Sequence, residues 1–226
     1  MTSPPPAIIC IGRNYAAHAA EMQAEPTSLP VVFMKNPASL CGNGEPIIIA
    51  PICAEHGPQV DFEGELAVIL GDDCRDVPRE AALERVAAYA VANDVTARWW
   101  QKHGSGGQWI RGKSFDTFCP MSDPVPASSI DDPQQLTVRT TVSGERMQEG
   151  NTADMIFPVD AFISELSRGM TLLAGTILLT GTPPGVGAAR TPPHFLSDGD
   201  IVEIEIPGVG LLSNPVVASP GAATNR

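Results

Sequence analysis

Basic residues are scarce in this sequence. Fourteen Lys and Arg stand against 26 Asp and Glu, a formal net charge of −12 over 226 residues. A surface of that sign repels phosphate backbones and anionic lipid, which argues against a nucleic-acid or membrane partner. Apolar runs are also short: none approaches the ~18 residues of a membrane-spanning helix. The opening Met1-Thr2-Ser3-Pro4-Pro5-Pro6 lacks the basic start and apolar core of a secretory signal. No C-x-x-C occurs. The five cysteines, Cys10, Cys41, Cys53, Cys74 and Cys119, are odd in number. That pattern indicates neither a disulfide framework nor a zinc ribbon and predicts buried, reduced thiols in a cytoplasmic protein. There is no internal repeat, and the length suits one large domain or two small ones, enough to bury a substantial core. The expected organisation is a flexible N-terminus over 1–6, a single catalytic domain over 7–218 and a disordered tail over 219–226.

What the chain does have is acids in a telling arrangement. Val60-Asp61-Phe62-Glu63-Gly64-Glu65-Leu66-Ala67-Val68-Ile69-Leu70 reads as one strand, running from polar alternation into an apolar stretch. Alternation places Asp61, Glu63 and Glu65 on one face and Phe62 on the other. An isolated Glu-x-Glu pair is usually a solvated face. Asp94, however, closes a second apolar run, and three acids from two segments make an all-oxygen site for a hard divalent cation. His18 and Glu21 lie three apart in an Ala-rich, helix-compatible stretch. On a helix they face the same way, so the carboxylate can fix the imidazole tautomer and make it a general base. The polar, Pro-bounded residues 23–30 that follow would form a mobile lid.

The remaining pattern is mostly β. Strands are expected at 7–11, 31–34, 47–49, 137–142, 145–148, 176–179 and 201–206, with a hairpin turn at Ser143-Gly144. Pro158 to Arg168 is expected to be an amphipathic helix with Phe162, Ile163 and Leu166 inward and Gly169 as its C-terminal cap. Pro78, with the stripe Leu83, Val86 and Ala87, predicts another helix up to about Tyr89. The loop Thr180-Gly181-Thr182-Pro183-Pro184-Gly185-Val186-Gly187 offers backbone N–H groups and hydroxyls to an anion, although such loops are commonly only tight turns. Lys35, at a strand end, can reach a substrate carboxylate or simply face solvent. The architecture is therefore mixed α+β and β-dominated, with a few peripheral helices.

Six segments in order resemble the fumarylacetoacetate hydrolase family. They are Gly12-Arg13-Asn14-Tyr15 with His18 and Glu21, Phe33-Met34-Lys35, Glu63-Gly64-Glu65, Asn93 to Arg98, Arg111 to Asp116, and Thr180 to Gly187. The resemblance implies that family's β-sandwich roll, assembled as a homodimer. It implies Mg²⁺ or Mn²⁺, with Ca²⁺ as a further option, on Glu63, Glu65 and Asp94. It implies a catalytic set of His18, Glu21 and Lys113, and contacts to a small 2-oxo acid substrate from Arg13, Tyr15, Lys35, Arg98, Gln101 and Thr182. The activity it implies is hydrolytic carbon–carbon cleavage of an acylpyruvate to release pyruvate. Oxaloacetate decarboxylation or hydroxymuconate-type isomerisation on the same site is the alternative, and a non-catalytic 2-oxo acid binder is a third class. One departure stands out: Trp99-Trp100 follow Arg98 where the family has an acid. This leaves Arg98 without its local carboxylate and free to meet an anionic substrate, while the tryptophans would wall the pocket, fill a dimer interface or merely pack. Asp61 is not a ligand in the family pattern and would at most support the ligands.

Overall fold

The computed structural model describes residues 4–25 and 27–220. Residues 1–3 of the expected flexible N-terminus and 221–226 of the expected tail lie outside them. Two sheets carry the fold. An eight-stranded sheet runs Val31–Lys35, Ile8–Gly12, Ile177–Leu179, Gly64–Leu70, Val86–Asn93, Cys119–Met121 and Leu40–Gly42, with Val125–Pro126 paired to Val86–Asn93 off this path. A five-stranded sheet runs Glu145–Asn151, Thr137–Val142, Ile201–Ile206, Gly210–Ala218 and Ile47–Ile49. Most neighbours are antiparallel; Ile8–Gly12 with Ile177–Leu179 is one of the parallel pairs.

Period-2 alternation sorts side chains between two cores. Ile9, Ile11, Leu66, Val68 and Leu70 join Val138, Val202, Ile204 and Leu212 of the five-stranded sheet in one large buried cluster. Ile8, Cys10, Ala67, Ala90, Ala92 and Leu179 line the other face of the eight-stranded sheet in a second cluster. Glu65 has the parity of Ala67, and Asp94 that of Ala90 and Ala92. The acids thus stand at the end of the second, small-residue face. The helix Val159–Ser167 forms as expected, with Phe162, Ile163 and Leu166 buried and Gly169 at φ 67° just past its end.

Two expectations fail. The helix over Pro78 to Tyr89 is absent. Two single turns, Arg79–Ala81 and Leu83–Arg85, lead into the strand Val86–Asn93, which pairs with Gly64–Leu70 along its length. Alanine favours a helix in isolation, but here its small volume suits a strand that is buried on both faces from Tyr89 onward, and packing overrides propensity. The strand expected from Val60 to Leu70 is also broken. Val60–Asp61 pairs with Thr96–Ala97 as a separate ribbon, and the long strand begins at Gly64. Asp61 consequently leaves the face on which alternation had placed it with Glu63 and Glu65.

Candidate active site

The three predicted ligands converge. Glu63, Glu65 and Asp94 are buried, and each offers a carboxylate oxygen within 4.8 Å of the others. Backbone bonds hold them in register: Asp94 N donates to the Glu63 carbonyl at 2.9 Å, and Glu63 N donates to Asn93 Oδ1 at 3.0 Å. Lys113 reaches the same point from the helix Ile110–Lys113, with Nζ 2.8 Å from Glu63 Oε2, 2.5 Å from Asp94 Oδ2 and 2.8 Å from Thr96 Oγ1. Lys35 donates to Asp94 Oδ1 at 2.6 Å and to the Val95 carbonyl at 3.2 Å. It is 1 % exposed, so this strand-end lysine serves the acid cluster and faces neither solvent nor the open cleft.

Arg98 departs from expectation. It is not free: Nε lies 2.8 Å from Asp61 Oδ2 and Nη1 lies 2.7 Å from Glu63 Oε1. The acid missing after it in sequence is replaced by Asp61, brought beside it by the Val60–Asp61 and Thr96–Ala97 pairing. Trp99 stacks on His56 with ring centroids 3.5 Å apart, and Trp100 donates its indole N–H to the Ile52 carbonyl at 3.2 Å. Both pack away from the cleft.

The electrostatics follow from burial and neighbours. Burial alone would push the Glu63 carboxyl up, but Lys113 and Arg98 reverse this and hold it well below the usual carboxylate range. Glu65 is pushed well above that range by burial and then by repulsion from Asp94 and Glu63. Burial disfavours charge on Lys113, yet Asp94 and Glu63 outweigh it and raise its pKa. Among the described residues Glu65 receives one hydrogen bond, from Gly181 N at 2.8 Å, and has no ion-pair partner. A buried carboxylate lacking a counter-ion, beside two others, is the donor set a divalent cation satisfies. The residues therefore fit the implied metal.

His18 and Glu21 form the predicted pair, Nδ1 to Oε1 at 2.7 Å, on the short helix Ala16–Glu21. His18 lines the same cavity, of about 110 Å³, as the three acids, Lys113, Gln101 and Thr182. Arg13, Met22, Lys102 and Trp109 also line it, and the Arg13 guanidinium carbon lies 5.4 Å from the Trp109 ring centroid. Tyr15 does not line it; it is 2 % exposed, and its hydroxyl has no partner among the described residues.

The Gly/Pro loop does hold anions, and they are the protein's own. Gly181 N donates to Glu65, Gly185 N to Glu21 at 2.8 Å, and Gly187 N and Ala188 N to Asp61 at 2.8 and 2.9 Å. Sequence reasoning missed several residues that build this frame. Asn14 ties the start of the His18 helix to Thr180 and Phe157. Gln148 receives Gly64 N and donates to Thr182 Oγ1 and the Pro183 carbonyl. Asn14 sits inside a quoted motif and was findable as a buried amide; Gln148, on a hairpin far along the chain, carries no local signal.

Comparison with known proteins agrees with the fold. The family pattern described as Fumarylacetoacetate (FAA) hydrolase C-terminal matches residues 7–217. A protein named oxaloacetate tautomerase YisK from Bacillus subtilis is 46% identical over 212 residues, covering 92% of this chain and 69% of that protein. A mitochondrial oxaloacetate tautomerase of Xenopus laevis is 44% identical over 214 residues, covering 94% of this chain and 66% of its own length. The chain thus spans about two thirds of these relatives. Among solved structures, a fumarylacetoacetate hydrolase from Exiguobacterium antarcticum is 44% identical with a TM-score of 0.84, covering 96% of this chain and 76% of that one. A 5-carboxymethyl-2-hydroxymuconate delta-isomerase from Mycobacterium smegmatis is 38% identical with a TM-score of 0.82, covering 96% and 80%. With a family match over nearly its whole length and solved relatives of the same fold, the chain belongs to the fumarylacetoacetate hydrolase family.

Proposed function

We propose that this chain is a divalent-metal-dependent enzyme that interconverts the enol and keto forms of oxaloacetate or a closely similar 2-oxo diacid. The observation that carries this reading is the His18–Glu21 pair lining the same cavity as three carboxylates and a buried, charged lysine. The names of the two bacterial and mitochondrial relatives support it. Tautomerisation moves one proton between the enol oxygen and C3; it consumes no water and breaks no carbon–carbon bond. His18, with Nδ1 engaged by Glu21, keeps Nε2 for that proton. Lys113 places fixed positive charge where negative charge gathers on the C2 oxygen. A divalent ion on Glu63, Glu65 and Asp94 would supply Lewis-acid polarisation of the 2-oxo group. Thr182 and Gln101 line the cavity beside these groups and would orient the 2-oxo acid end. Arg13 and Lys102 line it too and make no ion pair or side-chain hydrogen bond among the described residues. They suit the second carboxylate of a diacid.

Hydrolysis of an acylpyruvate is the second reading, favoured by the same dyad, since an imidazole oriented by a carboxylate can also deprotonate water. The test follows enol oxaloacetate by ultraviolet absorbance and pyruvate by a coupled assay, with acetylpyruvate in parallel and with Mg²⁺ added or chelated. The expected result is Mg²⁺-dependent enol decay without matching pyruvate, lowered about 100-fold or more in His18→Ala. Lys102→Met should raise KM for oxaloacetate more than for acetylpyruvate, which lacks the second carboxylate. Pyruvate release from acetylpyruvate outpacing enol decay would overturn the tautomerase reading in favour of hydrolysis.

A further inference from the structure

A fourth buried carboxylate belongs to the cluster without joining the three acids. Asp61 is 0 % exposed. Its Oδ1 accepts the backbone N–H groups of Phe62 and Gly187, and its Oδ2 accepts Ala188 N–H and Arg98 Nε. Arg98 Nη2 also lies 2.8 Å from Oδ2. The far end of the same guanidinium reaches Glu63 Oε1, and it shares Nη1 with Gln101 Oε1 at 3.2 Å. Arg98 is therefore divided between Asp61 and a metal-ligand acid. An arginine beside such an acid competes with the cation for it, because a guanidinium fork matches a carboxylate in two places.

With Asp61 removed, the ionic partner left to Arg98 among the described residues is Glu63, and the guanidinium can close on that carboxylate more fully. We infer that Asp61 is a positioning residue that sets the divalent-ion affinity of Glu63, Glu65 and Asp94 by holding Arg98 away from full pairing with Glu63. This rests on the reading of those three acids as metal ligands and is independent of which 2-oxo acid reacts.

The test is Mn²⁺ binding to the metal-stripped protein, read by calorimetry and by the electron paramagnetic resonance of free Mn²⁺. Wild type is compared with Asp61→Asn, Arg98→Gln and the double variant, with circular dichroism as the check on folding. Asp61→Asn retains one oxygen for the Phe62 and Gly187 N–H groups but gives up the charge that holds Arg98. It should weaken Mn²⁺ binding about tenfold or more. The double variant should return to within about threefold of Arg98→Gln alone, since the competitor is gone; a merely structural role would make the losses add. Wild-type affinity in a folded Asp61→Asn, or additive losses in the double variant, overturns the inference. Should Asp61→Asn not fold while the double variant folds and binds like Arg98→Gln, the inference stands, because the stranded guanidinium is then what Asp61 controls. Failure of both to fold assigns Asp61 to the fold alone and overturns it. No Mn²⁺ binding by wild type would instead remove the metal reading itself.

Discussion

Glu65 bears the sharpest conflict of any single residue. It is buried beside Asp94 and Glu63, which together with burial push its carboxyl well above the usual range, and its one donor among the described residues is a backbone N–H. Such a residue is kept for function at the expense of the apo fold. Glu65→Gln keeps an oxygen for Gly181 N and removes the repulsion. In a chelator its thermal midpoint should rise, by the equivalent of about 1–2 kcal/mol, while Mn²⁺ binding is lost; a lower midpoint would contradict the assignment. At this scale the sequence was readable where chemistry is local. The Glu63, Gly64, Glu65 spacing and the His18 to Glu21 interval each announced a partner within one strand step or one helical turn. The partner of Arg98 was not readable. Asp61 lies 37 positions earlier, and only the break in the strand before Gly64 brings it round. Lys35 was ambiguous for the same reason: its acid, Asp94, is 59 positions away.

Elements were legible when a single periodicity governed them. The helix Val159–Ser167 repeats its apolar residues on one face and ends at a glycine, so pattern and structure agree. The strand Val86–Asn93 is alanine-rich and buried on both faces from Tyr89 onward, so its pattern carries no period to separate strand from helix. The short helices Arg98–Lys102 and Ile110–Lys113 make a different point. They approach so closely at Gly112 that a Cβ there would lie 2.4 Å from the Gln101 backbone N and 2.8 Å from the Ala97 carbonyl oxygen. That contact seats Lys113. Gly112→Ala should therefore cost about 1–3 kcal/mol in urea unfolding and lower turnover as Lys113 moves off Glu63 and Asp94. An unchanged urea midpoint would show that the two helices can separate freely.

For the molecule as a whole, the five thiols are all free and buried. Burial pushes Cys119, Cys53 and Cys41 up to about 12, and Cys10 and Cys74 are raised by the same cause. A folded thiol that resists ionisation lets the unfolded chain bind fewer protons at alkaline pH. Stability is intact below the ordinary thiol range of about 8.5 and falls as pH rises from there towards about 12. By pH 10 each fully shielded thiol costs roughly 2 kcal/mol. The urea midpoint should fall steeply between pH 8 and 10, and Cys119→Ala should flatten the curve; a pH-independent midpoint would refute this.

Wiring over such distances has a consequence for how the protein comes into being. The acids and cations of the centre all lie between residues 13 and 113, but the main-chain donors that aim Glu21, Asp61 and Glu65 arrive only with residues 181–188. A chain emerging from the ribosome would carry every ligand long before it could assemble them. The same holds for any C-terminal truncation that stops short of that loop: it keeps every acid and cation of the centre and loses the donors that aim them.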